Sequence, residues 1–150
     1  MSSDLETLAR RAVACKGWRW MPGMLAQWLK DPEPLGRVYR GSDEPEKGFT
    51  APPYGPMIVM LDLLGPIKAK RGRVAEDCII PDLSDPATLG CLLALVREAW
   101  SIPSLYVRLN PYGTDKVQLT WSGPGSTTVL ALANAETEAE ALVKALEAAE

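Results

Sequence analysis

From Pro103 onward the spacing of apolar residues changes from helical to strictly alternating. Leu105, Val107 and Leu109 alternate with Tyr106 and Arg108, and Val117, Leu119 and Trp121 alternate with Gln118 and Thr120. A period of two marks strands that bury one face and wet the other. Asn110-Pro111-Tyr112-Gly113 provides the turn between the two runs, and Thr127 to Leu132 reads as a third strand after Gly123-Pro124-Gly125. The outcome is an antiparallel meander, whose apolar face needs a covering layer.

Helical stretches on either side can provide that layer. Ser3 with Glu6 matches a capping box, and Leu5, Leu8, Ala9, Ala12 and Val13 then recur at helical spacing until Gly17, which predicts a helix from about Asp4 to Lys16. Asp82, Ser84 and Asp85 precede Pro86, a strong helix start, and Leu89, Cys91, Leu92, Leu93, Leu95 and Val96 surround most of the helix that runs to Trp100. This is the expected buried central helix. Gly90 within it costs about 1 kcal/mol relative to alanine, which points to close backbone packing. Thr137 and Glu140 form a second capping box, followed by the stripe Ala139, Leu142, Val143 and Leu146 of a C-terminal helix lying across the sheet.

Between the first two helices the signals are mixed. Pro22-Gly23 marks a turn, Met24 to Leu29 fits a short strand or a helical turn, and Gly36 to Arg40 fits a strand. Residues 41–56 are rich in glycine, proline and charge and read as a long loop; Met57 to Leu64 is a continuous apolar run suited to a central strand. The fold class expected is α+β. One antiparallel sheet, the C-terminal three-stranded meander plus the central strand, packs against N-terminal, central and C-terminal helices in a single domain of 150 residues.

Composition narrows the chemistry. The chain has no histidine, which removes the commonest general base and metal ligand and excludes a Ser-His-Asp triad, a Cys-His pair and a Cys/His zinc site. Its formal charge of -3 gives no general attraction for phosphate backbones or anionic lipid. The longest apolar runs, Met57 to Leu64 and Leu89 to Val96, fall far short of the roughly 20 residues that span a bilayer, and Met-Ser-Ser-Asp at the N-terminus does not open a secretory leader, so a cytoplasmic location is expected. Cys15, Cys78 and Cys91 are widely spaced; Cys15 and Cys91 fall in helical apolar patterns and read as small core residues.

Three sets of residues are candidates for function. Trp18 and Trp20, with Trp28 beyond them, could form an aromatic platform with Arg19 beside it, but core packing between two structural elements is the favoured reading. Lys68, Lys70, Arg71 and Arg73 are the densest basic cluster and suit phosphate contacts, or a solvated hairpin turn; no helix-turn-helix or zinc-finger pattern accompanies them. Asp62, Glu76, Asp77, Asp82 and Asp85 could hold Mg²⁺ with Lys68 or Lys70 as electrophile, although Asp82 and Asp85 already have a role at the helix start.

Leu8 to Met24, Pro81 to Trp100 and Glu138 to Ala149 together resemble a family of small uncharacterised proteins encoded by tailed bacteriophages and prophages. The resemblance implies a bacterial-cell setting and an accessory rather than a virion-structural role, and it offers no catalytic residues. The leading expectation is therefore a non-catalytic protein that binds a host or phage protein through the 41–56 loop, with Asp43, Glu44, Glu46, Phe49 and Tyr54, and through Trp18 and Trp20. No cofactor is expected. Nucleic-acid binding through the basic cluster is the alternative and a divalent-metal hydrolase the third; a homo-oligomer is compatible with each.

Overall fold

The computed structural model describes residues 3–29, 34–38, 57–60, 70–73, 79–110, 116–123 and 129–149. The chain divides into two compact units, one comprising Trp20–Thr88 and the other Ser2–Arg19 with Leu89–Glu150. No helix among the described residues is long and apolar enough to cross a membrane.

The first unit is built on strands β1 (Leu25–Trp28), β2 (Pro34–Val38), β3 (Met57–Met60), β4 (Lys70–Arg73) and β5 (Ile79–Pro81). They form one antiparallel sheet in the order β4-β3-β2-β1-β5. The Pro-Gly turn leads into it as expected: the Met24 N–H donates to the Met21 carbonyl at 3.2 Å, and Gly23 takes φ +98°, a conformation that favours glycine. Met24, Ala26, Ile79, Ile80 and Leu83 are buried, and Trp20 packs against Ala26 and Ile79.

The second unit contains α1 (Ser3–Ala14), the part of α2 (Pro86–Ala99) from Leu89 onward, strands β6 (Tyr106–Leu109), β7 (Val117–Ser122) and β8 (Val129–Ala135), and α3 (Glu138–Glu147). The strands form the expected meander, β6-β7-β8, with a bulge between Leu119 and Thr120. Helix α3 packs on β7, β8 and α1. Its buried Ala139, Leu142, Val143 and Leu146 lie on one stripe, as their spacing requires, and Val117, Leu119 and Ala135 provide the buried positions of the sheet. Thr137 caps α3 by accepting the Glu140 N–H at 3.2 Å, but the returning Glu140 carboxylate accepts from the Glu136 N–H, one residue earlier than a capping box would place it. Two further ties hold this layer: Arg11 donates to both oxygens of Glu147 at 2.8 and 2.7 Å, and the Trp100 indole donates to the Ala145 carbonyl at 2.8 Å. A Cβ on Gly17 would stand only 3.1 Å from Leu146 Cδ1, so this position has little room for a side chain.

The α+β class and the meander match the sequence pattern, while several details differ. The Met57 strand belongs to the five-stranded sheet rather than joining the meander. Lys70–Arg73 is a strand paired along its length with Met57–Met60, not a turn. The third meander strand runs Val129–Ala135 rather than Thr127 to Leu132, because Ala133, Asn134 and Ala135 complete the pairing with Val117–Leu119 despite weak strand propensity. Strand β5 was absent from the expected elements: three residues ending in proline carry too short a pattern, and pairing with Ala26–Trp28 decides their conformation.

Gly90 also departs from expectation. It is exposed, and a Cβ there would meet nothing within 4 Å, so close packing does not explain it. Gly90→Ala is accordingly expected to stabilise the protein by about 1 kcal/mol, seen as a higher urea midpoint with an unchanged slope. Of the two described cysteines, Cys15 is buried, its thiol donating to the Arg11 carbonyl at 3.4 Å, whereas Cys91 is only half-buried.

Candidate functional site

The acidic residues before α2 have structural duties. Asp85 Oδ2 accepts from the Thr88 N–H at 2.9 Å, which makes Asp85 the N-cap of α2, and also from the Thr88 hydroxyl at 2.9 Å. The Arg37 guanidinium closes a two-pronged pair on Asp85 at 2.8 and 2.9 Å and donates to the Gly23 carbonyl at 2.7 Å. Thr88 Oγ1 in turn accepts the Leu25 N–H at 2.9 Å. The network ties β1, β2, the Gly23 turn and the start of α2 together. Arg37 beside it, reinforced by Thr88, holds the Asp85 carboxyl at about 2, well below the usual carboxylate range. Asp82 Oδ1 accepts from the Ser84 N–H at 2.9 Å and its hydroxyl at 2.6 Å, a local turn. Among the described residues no cluster of three His, Cys, Asp or Glu side chains could hold a metal ion; Asp62, Glu76 and Asp77 lie outside those residues.

Asp43, Glu44, Glu46, Phe49, Tyr54 and Lys68 lie outside the described residues. Lys70, Arg71 and Arg73 share β4, an outermost strand of its sheet among the described residues, opposite Met60, Val59 and Met57. Trp18 is half-buried in the second unit; Trp20, in the first, lies against Ala26 and Ile79, and Trp28 is exposed. Arg19 is held by Glu98 through two hydrogen bonds, 3.0 and 2.6 Å.

A different feature, missed in the sequence, comes from the meander. Strand β6 is an edge: β7 occupies one side of it, and no other described strand pairs with it. The Asn110 N–H donates to the Lys116 carbonyl at 2.8 Å, and the register continues as Arg108 opposite Gln118 and Tyr106 opposite Thr120. In an antiparallel ladder the residues that exchange hydrogen bonds alternate with those that do not. Tyr106, Arg108 and Asn110 therefore turn their backbone groups toward β7, while Leu105, Val107 and Leu109 turn theirs outward. Leu105 is already satisfied, its N–H donating to the Ile102 carbonyl and its carbonyl accepting from Arg97 Nε at 2.8 Å. Among the described residues the open edge is thus Val107 and Leu109, with two N–H donors and two carbonyls.

The side chains along this edge reinforce its openness. Leu109 stands on the same face as buried Val117 and Leu119 but is 74% exposed, so the apolar layer runs past its cover. On the opposite face Tyr106 and Arg108 are both exposed. The edge carries no proline and no bulge, two common devices that discourage pairing.

Beside the edge, Thr120 is fully buried and its hydroxyl finds no hydrogen-bond partner among the described residues. Thr120→Val removes that unmet group at nearly constant shape and is expected to stabilise the second unit by about 1 kcal/mol in urea unfolding. The chain matches no family model, no curated protein and no solved structure.

Proposed function

We infer that this protein is a non-catalytic binding module that recruits a partner protein by adding a strand to the β6 edge. The carrying observation is the pair of outward-facing backbone positions, Val107 and Leu109, beside an exposed leucine on the core-side face. Main-chain hydrogen bonds would provide affinity in this mode and alternate side chains specificity. The acidic residues that catalysis would recruit before α2, Asp82 and Asp85, are engaged in a turn and a helix cap. The bacterial-cell setting implied by the resemblance of the segments Leu8 to Met24, Pro81 to Trp100 and Glu138 to Ala149 suits an accessory protein of this kind, directed at a host or phage protein.

The test uses Val107→Pro. The outward N–H of Val107 is not part of the β6–β7 ladder, so proline, which is tolerated where a strand's N–H faces solvent, blocks the edge and spares the sheet. In pull-downs from nuclease-treated bacterial lysate, a stoichiometric protein is expected with the natural chain and absent with a folded Val107→Pro variant. Equal recovery by both would refute the reading, and recovery that disappears with nuclease would favour nucleic acid at Lys70, Arg71 and Arg73.

A further inference from the structure

We propose that the segment docking on β6 is an extended strand of a partner protein in which an acidic residue, flanked on both sides by apolar ones, lies opposite Arg108. This deepens the edge-pairing reading above and rests on it. Among the described residues the Arg108 guanidinium makes no ion pair or hydrogen bond, whereas Arg10, Arg11, Arg19, Arg37, Lys116 and Lys144 are each paired with a carboxylate. Arg108 lies between the two outward-facing positions, Val107 and Leu109. Any added strand that hydrogen-bonds to both must set a residue directly across from Arg108, on the same face of the sheet, and opposite charges at such a position are favourable. The residues before and after it fall on the other face, beside Val107 and exposed Leu109, where apolar side chains extend the layer formed by Val117 and Leu119.

The same geometry disfavours a second copy of the chain as occupant. A two-fold pairing that used Val107 and Leu109 of both copies would place each Val107 against the other copy's Leu109. It would also set Arg108 directly against Arg108, and like charges in direct opposition are destabilising.

The probes are two short soluble peptides of alternating valine and threonine, one with a central glutamate flanked by valines and one with lysine in its place. Binding to the full chain is read by amide chemical shifts and by slowed exchange of the Val107 and Leu109 amides. The glutamate peptide is expected to bind about fivefold more tightly than the lysine peptide, and Arg108→Glu to reverse the preference. Val107→Pro should abolish both. If Val107→Pro abolishes binding but the two peptides bind equally, or Arg108→Glu changes nothing, the acidic-partner inference fails while edge pairing survives. If neither peptide protects the two amides, edge pairing fails as well. A dimer in sedimentation that Val107→Pro dissolves would overturn the inference in favour of self-pairing.

Discussion

Leu142→Ala is expected to destabilise the protein by about 3 kcal/mol, within the range for truncating a fully buried leucine. Leu142 is wholly buried on α3, the helix that covers β7 and β8 and also meets α1. Its neighbours Val143 and Leu146 are buried as well, and a close-packed interior leaves the cavity little means of collapsing. Leu142→Met, which preserves volume, should lose less than about 1.5 kcal/mol. Urea unfolding followed by far-ultraviolet circular dichroism distinguishes the two, and a loss below about 1 kcal/mol for the alanine variant would mean that α3 does not seal this core.

The second large effect is at Asp85. Its folded carboxyl lies at about 2 against an ordinary value of 3.8, so it stabilises the fold at neutral pH, and that contribution fades as pH falls from about 4 to about 2. The difference corresponds to about 2 kcal/mol, reduced toward 1 because the Arg37 side chain stays 43% exposed and partly screened by water. Asp85→Ala also loses the α2 cap and is expected to cost about 2 to 3 kcal/mol at pH 7 and less at pH 2, flattening the acid limb of the stability curve. Asp85→Asn retains a capping oxygen but not the charge and should fall between the two. Acid titrations of urea midpoints for the three proteins provide the comparison; parallel curves for Asp85→Ala and the natural chain would remove Asp85 as the source of the acid dependence.

These two sites illustrate what a sequence of this kind discloses. The Leu142 stripe and the Thr137 cap are local patterns, set by side chains three or four residues apart, and both were legible. Asp85 was legible as a helix cap for the same reason. Its ion pair with Arg37, 48 residues away, was not, because nothing in the spacing of either residue names the other. Strands β4 and β5 were hidden similarly: Lys-Arg-Gly-Arg and Ile-Ile-Pro have little alternation of their own and become strands through pairing with β3 and β1. The candidate site lies between these cases. The alternation from Leu105 to Leu109 identified a strand and its two faces, but edge status depends on which strands are not beside it. Whether Arg108 is paired depends on where every carboxylate has folded.

The openness of β6 is tested most directly by hydrogen exchange at individual amides of the free protein, measured by nuclear magnetic resonance. Protection is expected to alternate, with Tyr106, Arg108 and Asn110 slow because they donate toward β7, and Val107 and Leu109 fast because they face solvent. Equal protection at all five amides would contradict this, showing that the edge is already covered and leaving no place for a partner strand.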